Sequence, residues 1–204
     1  MPSLALTGTI GSGKTSALKL IVSGLQASGI PVIPFSADEE NRRLLEMDPE
    51  VKDCIISLLG PTAYTPDGKP DREIISRAIV TEPNKKEKLE EILHPRLEQI
   101  WKHLAQQHHS PSDAFFIAEI PLLYEKGLNR FFDKVLVVAC SHSQREDRLM
   151  KGRSITPEKA GEWTALQLPQ GEKISQANHL FWNDGSSSAL KNQVQTFLQS
   201  LLKP

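Results

Sequence analysis

The chain has 204 residues, and its 24 lysine and arginine residues nearly balance 25 aspartate and glutamate residues, giving a formal net charge of −1. A charge this close to zero argues against a nucleic-acid or membrane-surface protein, while 39% hydrophobic and 24% charged residues are ordinary for a globular domain. Two cysteines exclude a disulfide framework, and the lack of a membrane-length apolar stretch or a secretion signal favours a cytoplasmic location.

Five short apolar segments alternate with helical patterns along the chain. We interpret as strands residues 3–7, 31–35, 115–121, 134–140 and 179–183. Several of these segments lack polar alternation, which indicates strands that are covered on both faces. Strands separated by helices predict an α/β fold, in which a parallel five-stranded sheet is flanked by helices.

The connection between the second and third strands has roughly 80 residues, whereas a simple crossover needs about 10 to 12. Its helical patterns predict an insert, in which Pro95 kinks or divides the longest helix. We expect Trp101 and Trp182 to lie in the core, with a nucleotide contact as the alternative. The predicted parts of this single domain are a core (1–38, 113–142 and 168–204), a helical acceptor-binding insert (about 39–112) and a lid (about 143–167).

The sequence GTIGSGKT, residues 8–15, follows the first predicted strand and precedes a predicted helix. It matches the phosphate-binding pattern G-x-x-x-x-G-K-S/T, in which glycine lets consecutive backbone N–H groups face an anion. The helix N-terminus faces the same anion, Lys14 can reach the outer phosphates, and the Thr15 hydroxyl can bind Mg²⁺. The pattern therefore predicts a nucleoside triphosphate site formed by Gly11, Ser12, Gly13, Lys14, Thr15 and Ser16.

The phosphate loop does not identify the phosphate acceptor, because GTPases, motor ATPases and small-molecule kinases share it. The N-K-x-D motif of GTPases does not occur, and the third strand offers Glu119 where a motor ATPase usually has aspartate. Asp38 follows the second strand, where a small-molecule kinase needs a base for the proton of the attacking hydroxyl. The alternative is that Asp38 only caps the helix that starts there.

An ordered set of motifs over roughly residues 3 to 185 resembles the dephospho-coenzyme A kinase family. The family patterns T-G-G-I-G-S-G-K-S, V-I-D-A-D, D-G-x-L-D-R and L-E-x-I-x-H-P correspond to TGTIGSGKT, PFSAD, DGKPDR and LEEILHP. The patterns D-I-P-L-L-F-E, Q-x-P-x-x-x-K and D-N-x-G correspond to EIPLLYE, QLPQGEK and NDG. The phosphate loop alone is generic, but the ordered set is specific.

The resemblance implies transfer of the γ-phosphate of ATP, with Mg²⁺, to the ribose 3′-hydroxyl of dephospho-coenzyme A. It implies that Asp38 and Lys14 are catalytic, and that Arg148 and Asn183 join the ATP site. The acceptor-binding residues that it implies are Arg72, His94, Pro121, Leu122 and Tyr124. Capping, surface pairing or core packing is the alternative role for these acceptor residues.

Three of the departures from the family pattern concern the metal site and the lid. Ser36 stands at the first aspartate of D-A-D, and Gly152 and Trp163 stand where the family has lid arginines. We expect the lid to be mobile. Without these two arginines it should close weakly over ATP, because an arginine on a transferred phosphate contributes on the order of 10³-fold in rate. Two other hypotheses stay open: a kinase of another small alcohol, and a non-catalytic protein that binds nucleotide or coenzyme A. The sequence does not indicate the oligomeric state.

Overall fold

The computed structural model describes residues 3–107, 114–153, 161, 164–165 and 167–202, without the side chains of 105–107 and 152–153. The chain forms two compact units. One unit comprises Met1–Phe35 with Ala105–Pro204 and carries the sheet, and the other, Ser36–Leu104, is helical. The helical unit overlaps the predicted insert, while the functional division into core, acceptor-binding insert and lid stays a prediction.

Five strands, numbered β1 to β5 in chain order, span Ser3–Thr7, Val32–Ser36, Phe115–Glu119, Lys134–Ala139 and His179–Trp182. They form one sheet in the order β2-β3-β1-β4-β5, which confirms the predicted five-stranded parallel sheet. The central strand β1 pairs parallel with β3 and β4, and β4 pairs parallel with β5. The carboxyl ends of parallel strands meet at one edge of the sheet, which is where such folds bind ligands.

The described helices, numbered α1 to α8 in chain order, span Lys14–Ala27, Ala37–Met47, Pro49–Leu59, Arg72–Thr81, Pro83–Gln107, His142–Arg153, Gln170–Ser175 and Ser187–Leu201. Apolar residues on one face of α1 and one face of α8 pack with the sheet strands in a single core cluster. The buried positions of α8 are those predicted for the last helix: Leu190, Val194, Phe197 and Leu198. None of the described helices is both long and apolar enough to cross a membrane.

In the helical unit, short polar side chains begin three helices. Ser36, Asp48 and Asp71 accept hydrogen bonds from backbone N–H groups in the first turns of α2, α3 and α4. Such caps satisfy donors that have no partner within the helix. The alternative role of Asp38 as a helix cap is wrong, because α2 begins at Ala37 and Ser36 is its cap.

The longest helix, α5, runs through Pro95 without interruption, so the predicted division at this proline is wrong. Proline removes only one backbone donor from the helix, the N–H that would bond the Glu91 carbonyl. The buried face of α5 consists of Leu89, Leu93, Leu97 and Trp101. Burial of this face stabilises the helix on both sides of the proline.

The two tryptophans differ in burial. Trp101 is 3% exposed, as predicted for a core residue, but Trp182 is 43% exposed, so the core prediction is wrong for Trp182. Trp182 lies on β5, an edge strand, and neighbouring strand residues face opposite sides of a sheet. The neighbouring Phe181 occupies the buried side, so Trp182 lies on the open side.

Candidate active site

The phosphate loop joins β1 to α1, and other chain segments approach its backbone closely. Gly8 has a φ of 150°, and a Cβ there would overlap the Val138 carbonyl oxygen of β4. Gly13 has a φ of 95°, and a Cβ there would overlap the Asn183 side-chain amide. Glycine alone tolerates these positive φ angles in so little space, so the fold requires both glycines that define the motif.

The N-terminus of α1 and Lys14 together place positive charge at the loop. Within the described residues, no side chain caps α1, and its first turn contains no acidic residue. Lys14 is 8% exposed, and its Nζ donates to the Thr9 carbonyl at 3.1 Å across the loop. The helix dipole and this ammonium both favour an anion at the loop, as a triphosphate site requires.

Thr15 and Glu119 bring two oxygen ligands together beside the loop. Thr15 is exposed, and its hydroxyl donates a hydrogen bond to Oε1 of the buried Glu119 at 3.0 Å. Hydroxyl and carboxylate oxygens suit Mg²⁺, which usually takes its other ligands from phosphates and water. The described residues contain no group of three or more His, Cys, Asp or Glu side chains that could hold a metal alone. Glu119 is therefore a candidate ligand that the sequence indicated only as a substitution for aspartate.

Arg148 and Asn183, both predicted for the ATP site, lie against the phosphate loop. Arg148 Nη1 donates to the Ser12 carbonyl at 3.3 Å, and Nη2 donates to the Asn183 carbonyl at 2.7 Å. Asn183 Nδ2 donates to the Ser12 carbonyl at 2.8 Å. Both side chains therefore fix the loop backbone in this structure, and their contact with ATP stays a prediction.

Two glutamines that the sequence did not single out also hold the loop. Gln167 Oε1 accepts from the Ile10 N–H at 3.0 Å. Gln170 Oε1 accepts from the Thr9 hydroxyl at 3.3 Å, and its Nε2 donates to the Cys140 carbonyl at 2.9 Å. The QLPQGEK segment was the available signal, since it contains both glutamines. Cys140 is a buried thiol, and burial raises its pKa.

The chain turns back after β3 over residues 121–127, here called the β3 turn, which includes Pro121, Leu122 and Tyr124 of the predicted acceptor site. The Pro121 carbonyl accepts from the Thr7 hydroxyl at 3.2 Å and from Lys173 Nζ at 3.0 Å. The β3 turn is thus connected to the end of β1, immediately before the phosphate loop. Acceptor binding by these residues stays a prediction.

The Tyr124 hydroxyl is buried, and it has no hydrogen-bond partner among the described residues. Burial raises the pKa of the phenol above its ordinary value of 10.0, because the phenolate would lose its hydration. Tyr124 is therefore a neutral phenol near physiological pH, and its hydroxyl can both donate and accept a hydrogen bond.

The remaining predicted residues lie in the helical unit. Asp38 is exposed in the first turn of α2, and no contact within the described part of the chain fixes its role. Arg72 begins α4 and pairs with Glu46 at 2.7 Å, with 61% of its side chain exposed. His94 is half-buried within α5. Their proximity to ATP or acceptor stays a prediction, and so does the binding role of the exposed Ser16 in α1.

Much of the predicted lid, residues 143–167, lies outside the described residues. Helix α6, which begins at His142, covers its first part. Trp163 and residues 154–160 lie outside the described residues. The side chain of Arg153 also lies outside them. The predicted weak closure of the lid therefore stays a prediction.

Comparisons with known proteins agree with this geometry. The family model for dephospho-CoA kinase matches residues 3–189. A dephospho-CoA kinase from Methylococcus capsulatus is 29% identical over 94% of this chain and 92% of its own, and one from Chlorobaculum tepidum is 30% identical over 98% and 94%. The solved structure of a dephospho-CoA kinase from Campylobacter jejuni, 21% identical over 98% and 96% of the two chains, shares the fold with a TM-score of 0.69. The chain therefore belongs to the dephospho-CoA kinase family.

Proposed function

We propose that this protein transfers the γ-phosphate of ATP to the 3′-hydroxyl of dephospho-CoA, the last step of coenzyme A synthesis. The observation that carries the proposal is the phosphate loop with Lys14 and the Thr15–Glu119 pair, within a chain that matches the family over residues 3–189. The proposal includes a cytoplasmic location, where the free thiols Cys54 and Cys140 would stay reduced.

On the donor side, the backbone of the loop and the N-terminus of α1 bind the phosphates. Lys14 would exchange its bond to the Thr9 carbonyl for a phosphate oxygen, and so stabilise charge in the transition state. Thr15 and Glu119 are the residues that would hold Mg²⁺. A bound Mg²⁺ supplies charge neutralisation on the phosphate oxygens.

On the acceptor side, Asp38 is the proposed general base. A carboxylate exposed in the first turn of a helix can accept the proton of the ribose hydroxyl. Arg72, on α4, and His94, on α5, are proposed to bind the acceptor phosphates and nucleoside, and the β3 turn is proposed to bind the rest of the acceptor.

The departures at Gly152 and Trp163 support one alternative, a weakly active or non-catalytic relative that binds nucleotide or coenzyme A. Loss of lid arginines would lower the rate of transfer while leaving the phosphate loop able to bind ATP. Lys14, Thr15 and Asp38 match the family and favour the catalytic proposal.

Mass spectrometry after incubation with ATP, Mg²⁺ and dephospho-CoA tests the proposal. We expect an acceptor that is heavier by one phosphoryl group. Coenzyme A is the matched control acceptor, because its 3′-hydroxyl is already phosphorylated, and it should gain nothing. Binding of both ligands with no product would favour the non-catalytic alternative, and phosphorylation of coenzyme A would contradict the proposed acceptor position.

A further inference from the structure

Lys173, on α7, is a buried cation with no role in the chemistry derived above. Its side chain is 0% exposed, and its Nζ lies 2.8 Å from Glu125 Oε1 and 3.0 Å from the Pro121 carbonyl. Lysine is almost never fully buried unless it is paired, because an ammonium loses its hydration on burial. A chain that keeps such a group in its interior needs both partners in place.

Both partners of Lys173 belong to the β3 turn. Glu125 Oε1 also accepts from the Leu168 N–H at 2.7 Å, while Glu125 Oε2 is buried with no hydrogen-bond partner among the described residues. Among the described residues, the negative charge of the Glu125 carboxylate is therefore stabilised by Lys173 and by one backbone donor, the Leu168 N–H. The ammonium thus holds the β3 turn at two points, Pro121 and Glu125.

The β3 turn is also closed by its own backbone. The N–H groups of Lys126, Gly127 and Leu128 donate to the carbonyls of Leu122, Tyr124 and Leu123 at 3.2, 3.0 and 2.9 Å. These bonds give the turn its local shape, but they do not fix its place relative to the phosphate loop. The Thr7–Pro121 hydrogen bond connects the first residue of the turn to the end of β1, and the contacts of Lys173 add a second connection through Glu125.

The same short segment of chain reaches the phosphate loop. Gln167 and Gln170, just before Lys173, bond to Ile10 and Thr9 of the loop. Residues 167–173 therefore contact the phosphate loop through neutral amides at one end and the β3 turn through an ion pair at the other. Together with the Thr7–Pro121 hydrogen bond, these two contacts set the distance between the donor loop and the β3 turn.

We propose that Lys173 is a positioning residue, which with Glu125 holds the β3 turn in register with the phosphate loop so that the acceptor lies in line with the γ-phosphate. The assignment of the acceptor to the β3 turn rests on the proposed function. Lys173 touches neither substrate in this account and acts through Pro121 and Glu125. Small displacements of a bound reactant slow a reaction strongly, by about 10²-fold for a shift of about 1 Å.

The double variant Lys173→Met/Glu125→Gln tests the proposal. A single change at Lys173 would leave a buried, unpaired carboxylate and could unfold the protein, whereas the double change removes both charges. The side-chain amide introduced by Glu125→Gln can still accept from the Leu168 N–H. Lys191→Met, at an exposed lysine on α8, is the matched control.

For the double variant we expect a cooperative thermal transition, an unchanged Kd for ATP, and a kcat/KM for dephospho-CoA lowered by about 10²-fold. Amide hydrogen exchange should become faster over residues 122–128 and stay unchanged in α1. The control variant should match the wild type in every measurement.

Unchanged acceptor kinetics and unchanged exchange in the β3 turn would overturn the proposal. Equal losses for ATP and dephospho-CoA, with faster exchange throughout the sheet unit, would also overturn it, because Lys173 would then be a general stabilising residue. If the wild type phosphorylates no dephospho-CoA, the proposed function fails, and the exchange comparison still decides whether Lys173 positions the turn.

Discussion

The phosphate-loop region and the helical unit hold their predicted functional side chains in different ways. Around the loop, Lys14, Glu119 and Asn183 are buried and form hydrogen bonds with the loop or with α1. In the helical unit, Asp38 and Arg72 are exposed in first turns of helices. The Arg72–Glu46 pair is mostly exposed, and such pairs contribute only about 0–1 kcal/mol.

This difference indicates that the side chains at the phosphate loop are arranged before substrates bind, whereas the exposed side chains of the helical unit, which we propose to act on the acceptor, can rearrange at little cost. Buried polar groups with fixed partners lose little entropy when a ligand binds. Exposed side chains on capped helices must be ordered by the ligand itself. Changes at the loop should therefore alter catalysis, and changes in the helical unit should alter mainly the reaction with acceptor.

The largest effect is expected for Lys14→Ala. We expect phosphoryl transfer to fall by about 10³-fold or more, because charge on the transferred phosphate loses its cation. The fold should persist, since the Thr9 carbonyl still accepts from the Ser12 N–H at 3.2 Å. Turnover and circular dichroism of Lys14→Ala, beside Lys19→Ala on the exposed face of α1, check this. Normal turnover in a folded Lys14→Ala protein would refute the role of the loop.

Asp38→Asn should lower kcat by about 10²- to 10⁴-fold while the Kd for ATP stays unchanged. The amide keeps the shape of the side chain but cannot accept the ribose proton. Glu39→Gln, at the next exposed position of α2, removes the same charge from the helix terminus and should keep full activity. If Asp38→Asn abolishes ATP binding instead, Asp38 has a structural or metal-binding role.

Glu119→Gln should raise the Mg²⁺ concentration needed for half-maximal activity by about 10- to 100-fold. The amide can still accept from Thr15 but supplies no charge to the metal. A titration of activity against Mg²⁺ at fixed ATP measures the change. An unchanged Mg²⁺ requirement with reduced melting temperature would make Glu119 a purely structural partner of Thr15.

Trp163→Arg should lower the KM for ATP by about tenfold, because a guanidinium can make charge-assisted bonds to phosphate oxygens. Steady-state kinetics measured beside the melting temperature separates this effect from folding. A fall in both kcat/KM and melting temperature would show that Trp163 packs structurally, and that Arg145, Arg148 or Arg153 already supplies the lid charge.

The smallest effect is expected for Ser36→Ala, which removes the cap of α2 and should lower the free energy of unfolding by about 0.5–1 kcal/mol. The low value follows from the long bond, 3.4 Å, between Ser36 Oγ and the Glu39 N–H. Ser36→Asp should keep the cap and the stability, because aspartate caps helices as well as serine. Urea denaturation of both variants measures the difference, and equal losses would show that Ser36 does not act as a cap.

Local features of this protein could be predicted from its sequence. The strands appear as apolar runs, and the loop glycines appear in a fixed pattern, so these elements agree with the structure within one or two residues. The alternative that Asp38 caps α2 failed for a local reason, because α2 starts at Ala37, two residues earlier than an Asp38 cap would require. At Pro95 the burial of one helix face outweighed the tendency of proline to interrupt a helix.

Individual hydrogen bonds between distant segments could not be predicted, although the family resemblance placed Arg148 and Asn183 at the ATP site. Lys173 bonds to a carbonyl 52 residues away, and Gln167 bonds to a loop N–H 157 residues away. No local spacing connects such residues, because only the parallel sheet brings the segments together. The exposure of Trp182 likewise depends on β5 lying at the edge of the sheet, which the strand sequence alone does not specify.

The most direct test of the proposed function is the position of the phosphate in the product. Phosphorus–proton correlation NMR of the reaction of the wild-type protein with ATP and dephospho-CoA distinguishes the ribose hydroxyls. We predict one new phosphomonoester, coupled to the ribose H3′, for each ATP converted to ADP. Consumption of ATP without this phosphomonoester, or a phosphate coupled to another position, would contradict the account.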